Sequence, residues 1–168
     1  MDETPLQDEP AAALVLRLAR GKARKSRQIH SDEPVILGAD TIVLLDGRVF
    51  GKAGSQDEAL CMLANLSGRS HTVLTAVAVS TPRQEIAAVS ETRVQLRNID
   101  PDEALRYWQS GEPAGKAGAY AIQGIGGIFV ESLTGSWSGV VGLPVFETAR
   151  LLRKAGVEVL SAASSSRR

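Results

Sequence analysis

Val35-Ile36-Leu37-Gly38-Ala39-Asp40-Thr41-Ile42-Val43-Leu44-Leu45-Asp46-Gly47-Arg48-Val49-Phe50-Gly51-Lys52 is the stretch whose reading decides the fold. Val35 to Gly38 is a short apolar run, the mark of a buried strand. Thr41 to Leu45 continues the β-rich pattern. Asp46-Gly47 is a strong hairpin signal, because two-residue turns need residues that accept a left-handed backbone. Arg48-Val49-Phe50 returns as the partner strand and ends at Gly51-Lys52. This reading puts Asp40 at the C-terminal end of an apolar strand, where open α/β sheets place ligands.

Working outward, residues 10–26 read as a helix opened by Pro10. Val15, Leu18, Ala19 and Lys22 fall at i, i+3, i+4 and i+7, on one face. Arg17, Arg20 and Arg24 fall elsewhere. Lys22 therefore shares the apolar face, where a purely solvated lysine has no reason to be unless it snorkels at the end of the stripe. Ser55-Gln56-Asp57-Glu58 is a capping box opening a second helix, with Ala59, Met62, Leu63 and Leu66 as its core stripe. His71 to Ser80 and Glu85 to Leu96 read as strands either side of a Pro82 turn. Asp100-Pro101-Asp102-Glu103 caps a third helix that runs to Gln109. Ile128 to Val130 and Gly139 to Val141 read as short strands around a Gly135-Ser136 turn. Pro144 opens a last helix, and residues 161–168 read as a disordered small-polar and basic tail. Helices and strands alternate over short connections, so the class is α/β or mixed α+β, in one domain over residues 1–160.

Composition excludes several function classes. The 19 Lys and Arg balance 19 Asp and Glu, so no global field favours nucleic acid, although a local basic cluster still suits phosphate. No apolar run approaches the roughly 20 residues that span a bilayer. Met1-Asp2-Glu3 lacks the basic and apolar regions of a signal peptide. A cytoplasmic protein that engages neither membrane nor nucleic acid is the expectation. Cys61 is the single cysteine, which rules out an internal disulfide, and its apolar neighbours suggest a small core hydrophobe. His71 alternates with apolar residues and reads as a packed histidine.

The residues that could carry chemistry are few. Asp40 could ligate a metal through hard oxygen, act as a general base on water, or simply cap a turn. Lys52 follows a hairpin strand, and Lys116 sits in a stretch rich in Gly and Ala. Triphosphate chemistry needs such cations beside the transferring oxygens, yet each alone is also an ordinary surface lysine. Gln123, between Ile122 and Gly124, reads as part of an apolar strand. Its amide could read both a donor and an acceptor of a base, or face solvent. Gly124-Ile125-Gly126-Gly127 lacks the spacing of a dinucleotide fingerprint.

Taken in order, the blocks resemble one family. These are Asp2-Glu3-Thr4, Leu18 to Ala23, Gly38-Ala39-Asp40-Thr41, Gly51-Lys52, Met62-Leu63, Leu66-Ser67-Gly68-Arg69, Tyr107, Gly111-Glu112-Pro113, Lys116 to Gly124, and Val140-Val141-Gly142-Leu143-Pro144. They resemble the Maf family of nucleoside triphosphate pyrophosphatases. The resemblance implies a fold like that of inosine triphosphatases, with a central twisted mixed sheet flanked by helices around a cleft. It also implies hydrolysis of a nucleoside triphosphate to monophosphate and pyrophosphate with a divalent cation, Mg²⁺ or Mn²⁺. By the same resemblance Asp40 is the proton acceptor for water. Thr41 and Gln123 set base specificity, Lys22, Lys52 and Lys116 hold phosphates, and Glu3 and Asp40 hold the metal.

The Ile122-Gln123-Gly124 form looks like the dTTP/UTP branch; the 7-methyl-GTP branch typically has Glu at that position, and modified pyrimidine nucleotides are a further substrate class. A homodimer is expected from the family only. The family begins with a strand and a Ser-rich, Pro-Arg-Arg loop, and this sequence starts beyond that point, a difference of ~30 residues or one β-α-β unit. That difference motivates an alternative expectation, a catalytically impaired nucleotide-binding or septum-formation regulatory protein. Two smaller departures are Gly115, where many members carry Asp, and Ala53, where Pro usually follows the lysine.

Overall fold

The computed structural model describes residues 3–160. The tail expected over residues 161–168 lies outside the described residues, as do Met1 and Asp2. The element order is α1 (Ala11–Ile29), β1 (Ile36–Leu45), β2 (Arg48–Phe50), α2 (Gln56–Leu66), β3 (Ser70–Ser80), β4 (Glu85–Leu96), α3 (Pro101–Gln109), a 3₁₀ segment (Ile125–Phe129), β5 (Val130–Thr134), α4 (Trp137–Val141) and α5 (Val145–Lys154). The strands form one five-stranded sheet in the order β2-β1-β3-β4-β5.

The α/β class holds, with one correction of detail. The sheet was expected to be mixed, and every pairing among the described residues is antiparallel. The reason lies in the connections. Asp46 and Gly47 take φ of 50° and 77°, the left-handed pair that closes β1 onto β2 as a tight hairpin. The α2 crossover does join two parallel strands, β2 and β3, as alternating helices and strands suggest. Those two lie on opposite sides of β1, which runs against both.

Period-two alternation along β3 divides the core. Leu74, Ala76 and Ala78 pack with Ile36 and Ile42 of β1 under Leu14, Val15, Leu18, Ala19 and Ala23 of α1. Val73, on the opposite face, joins Val43, Leu45 and Phe50 beneath α2 and α3, through Leu63, Leu66, Ala104 and Tyr107. Val77 and Val79 on that same face meet Leu151 of α5. Fully burying each Val or Leu is worth about 1.5–3 kcal/mol, so the apolar stripe, not the arginine-rich remainder, holds α1 in place. Where α1 crosses β1, a Cβ on Gly38 would lie 2.5 Å from the Ala19 carbonyl oxygen and 2.6 Å from the Ala23 nitrogen. Only glycine permits that approach.

The capping box opens α2 with a displaced second half. Ser55 accepts from the Glu58 nitrogen at 3.3 Å, but the Glu58 carboxylate reaches back to the Gly54 nitrogen at 2.7 Å. Cys61 is exposed on the outer face of this helix. It is not the core residue its neighbours suggested, because Ala59, Leu63 and Leu66 already fill the inward stripe.

Two segments read as strands fold differently. Gly139-Val140-Val141 belongs to α4, because Ser136 caps it by accepting from the Gly139 nitrogen at 3.0 Å. Ile128 and Phe129 lie in the 3₁₀ segment, and β5 begins only at Val130. None of the helices among the described residues is long and apolar enough to cross a membrane.

Candidate active site

Asp40 sits in the middle of β1, paired in register with Ala76, rather than at a strand end. Its neighbours on the same face, Gly38 and Ile42, meet α1, and so does Asp40: its carboxylate bonds the Lys22 ammonium. Lys22 thus uses its place at the end of the apolar stripe to reach Asp40 rather than only to snorkel. Glu3 approaches the same ammonium at 3.4 Å. Thr41, next along the strand, points to the opposite face. There its Oγ1 lies 3.0 Å from Thr75 Oγ1, which donates to the Gly139 carbonyl at 2.7 Å. These bonds tie β1 and β3 to α4.

Strand β2 covers β1 only from Val43 to Leu45. The edge at Ala39 to Thr41 is therefore uncovered among the described residues, and one cleft receives side chains from both faces of the strand. Lys22, Asp40, Thr41, Lys52, Lys116 and Gln123 all line it. Its volume is about 230 Å³, just under the ~300–1,000 Å³ of small-molecule sites. Lys52 and Lys116 come from distant parts of the chain. A β-bridge between Lys52 and Ala117 joins them, reinforced by the Gly118 nitrogen donating to the Gly51 carbonyl at 3.0 Å.

Gln123 reaches the cleft from a turn, not from the strand its neighbours suggested. The Gly124 nitrogen donates to the Ala121 carbonyl at 3.2 Å and the 3₁₀ segment follows at once. Tyr120 and Val140 also line the cleft. Tyr120 is held from behind by His71, whose Nε2 lies 2.8 Å from the tyrosine Oη. The packed-histidine reading of His71 is correct, and burial lowers its pKa to about 4, so the ring is neutral at physiological pH. Thr75 gave no sequence signal, and Val140 entered only through the Val140 to Pro144 block of the family resemblance. Thr75 sits in a strand of apolar residues, and Val140 looked like a strand residue until the Ser136 cap made it helical.

The electrostatics set Asp40 apart. Burial raises its pKa above the usual carboxylate range, and the bond from Lys22 and the charge of Lys52 offset this only in part. Burial also works against the Lys22 ammonium, yet Asp40 and Glu3 outweigh it and hold that pKa above the ordinary lysine value. The two partners differ because the carboxylate side chain is 9% exposed and the ammonium 35%. The carboxylate carries more of the desolvation cost. A carboxylate whose pKa is raised, beside cations and an open cleft, has the character of a proton acceptor.

Glu3 and Asp40 converge on one ammonium, so they define a position where two carboxylates satisfy a cation. Among the described residues no group of three or more His, Cys, Asp or Glu forms a fuller cage. Two neighbouring carboxylates are the hard oxygen donors that a small divalent cation takes.

Comparison with known proteins bears on the same cleft. The chain is 49% identical over 161 residues to a dTTP/UTP pyrophosphatase of Methylobacillus flagellatus, covering 95% of this chain and 80% of the relative. It is 49% identical over 160 residues to one of Bordetella avium, covering 93% and 80%. It is 46% identical over 157 residues to one of Methylococcus capsulatus, covering 94% and 78%. The family model described as Maf-like protein matches residues 1–155, a span that contains every residue lining the cleft. The chain therefore belongs to the Maf-like protein family.

Proposed function

We propose that this protein hydrolyses nucleoside triphosphates, dTTP and UTP foremost, to the nucleoside monophosphate and pyrophosphate. The observation that carries the reading is the cleft itself. One buried carboxylate with a raised pKa shares it with three lysines and a glutamine amide. The names of the relatives, all dTTP/UTP pyrophosphatases, supply the substrate class.

In this reading Asp40 takes a proton from water as the water oxygen attacks the α-phosphorus. The bond from that phosphorus to the bridging oxygen breaks, and pyrophosphate leaves. Lys52 and Lys116, on the mouth formed by the Lys52–Ala117 bridge, offset the charge that grows on the phosphate oxygens. Lys22 orients Asp40 and keeps its carboxylate ionised enough to accept the proton. Thr41 and Gln123 read the base. Gln123 has the donor and acceptor that a pyrimidine edge requires, and Thr41 is fixed by Thr75. A divalent cation, Mg²⁺ or Mn²⁺, held by Glu3 and Asp40, would neutralise phosphate charge when bound.

The test is pyrophosphate release from dTTP and UTP, with 7-methyl-GTP for comparison, in Mg²⁺ or Mn²⁺. Turnover of dTTP and UTP well above that of 7-methyl-GTP is expected. Nucleotide binding without release of pyrophosphate overturns the reading.

A further inference from the structure

The Gly124-Ile125-Gly126 run is not a dinucleotide fingerprint, and the reading above gives it no role. Its surroundings do. Glu112, in the loop after α3, turns its carboxylate into the 3₁₀ segment. Oε2 accepts from the Ile125 nitrogen at 2.8 Å, and Oε1 accepts from the Gly126 nitrogen at 2.8 Å and from the Tyr107 hydroxyl at 2.7 Å. The Tyr107 oxygen in turn accepts from the Ala121 nitrogen at 3.0 Å. Backbone N–H groups on both sides of Gln123 are therefore held by one carboxylate–phenol pair anchored on α3.

The glycines follow from this. A Cβ on Gly124 would lie 2.0 Å from Glu112 Oε2, and one on Gly126 would lie 2.4 Å from the Tyr107 oxygen. The carboxylate and phenol occupy the space that side chains would take, so a Cβ at either position would displace them from these bonds. Burial works against the Glu112 carboxylate, but the three donors and the charge of Lys116 outweigh it and hold its pKa below the ordinary glutamate value. It is an ionised acceptor at working pH, and bonds to an ionised acceptor are the stronger kind.

We infer that Glu112 and Tyr107 are positioning residues for base recognition: they fix the backbone either side of Gln123 so that its amide meets the base in one geometry. The inference rests on the proposed nucleotide reading. It predicts a split. Base discrimination and KM depend on Glu112 and Tyr107, whereas the chemical step at Asp40, on the other wall of the cleft, does not.

The experiment compares wild type, Glu112→Gln, Tyr107→Phe and Glu103→Gln by dTTP and dCTP kinetics and by amide hydrogen exchange. In Glu112→Gln, one carboxylate oxygen becomes an NH₂ that faces a backbone N–H, leaving a donor unpaired. The expected result is faster exchange at Ile125 and Gly126. KM for dTTP rises about tenfold and preference for dTTP over dCTP falls about tenfold, with kcat within about threefold. Tyr107→Phe should move the same quantities in the same direction and should also free the Ala121 amide. Glu103→Gln weakens the 2.6 Å pair between Glu103 of α3 and Arg97, which precedes that helix; Arg97 keeps its own bond to the Ile128 carbonyl at 2.9 Å, so this variant should move none of them. Faster exchange at Ile125 and Gly126 with KM and preference unchanged overturns the positioning role while leaving the nucleotide reading intact. So does a fall in kcat with KM unchanged. If wild type neither binds nor turns over dTTP, the nucleotide reading fails and this inference fails with it.

Discussion

The two walls of the cleft are built by different means. The wall that carries Asp40 and Thr41 is regular: β1 is bonded to β3 along its length, from Ile36 against Ser80 to Leu44 against Thr72, and α1 lies close against it at Gly38. The wall that carries Gln123 is irregular. Its backbone N–H groups at Ala121, Ile125 and Gly126 are satisfied by side chains rather than by a ladder. The difference teaches how tolerance is distributed. A ladder shares its load over many bonds, so substitutions along β1 should act through the functional group removed. The loop depends on two side chains, so changes there should act through geometry.

The largest expected effect tests the regular wall at its functional group. Asp40→Asn removes the proposed proton acceptor and keeps the shape, so pyrophosphate release should fall by about 10³-fold while much of the dTTP affinity remains. Retained turnover in steady-state assays would sink the base assignment.

Lys22→Met comes next and acts through Asp40. Without its ammonium partner, Asp40 loses the bond that offsets burial, and its pKa rises further. Turnover should fall by roughly 10–100-fold, and the acid limb of the pH–rate profile should move to higher pH, because the base must be ionised to act. A limb that stays put, or moves to lower pH, would show that Lys22 does not tune Asp40.

The smallest effect contrasts one glycine from each wall. Gly38→Ala should cost about 1–3 kcal/mol of stability, since its Cβ meets the backbone of α1, and should lower Tm. A Cβ at Gly126 meets the end of a tyrosine side chain at 2.4 Å and the backbone of Ala121 only at 3.0 Å, so the main effect of Gly126→Ala should be on KM for dTTP, with a smaller shift in Tm. Thermal melts and kinetics on both variants measure the contrast, and equal Tm losses would erase it.

Much of the regular wall was legible in the residues. The hairpin at Asp46-Gly47, the strand over Glu85–Leu96 and the helix capped by Asp100 fall where local rules put them. A cap, a turn or an alternation is satisfied within a few residues, so it can be read one residue at a time. The exceptions share a cause. Gly139 to Val141 carry β-branched residues yet lie in a helix, because Ser136 caps them and Thr75 takes the Gly139 carbonyl. Gln123 looked like a strand residue, yet Glu112 and Tyr107 bend its neighbourhood into a turn and a 3₁₀ segment.

By itself, then, the sequence determined most of the elements of this protein, the hairpin at Asp46-Gly47 and the apolar stripe of α1 with Lys22 at its end. Only the tertiary structure decided that the sheet is antiparallel, that Asp40 and Thr41 serve one cleft from opposite faces of a strand, and that Lys22 spends its charge on Asp40. Short-range signals fix backbone conformation because their partners are a few residues away. A cleft is assembled by contacts across tens of residues, such as the 18 between Lys22 and Asp40 and the 34 between Thr41 and Thr75. Those distances close only when the core that joins α1, β1 and β3 has packed.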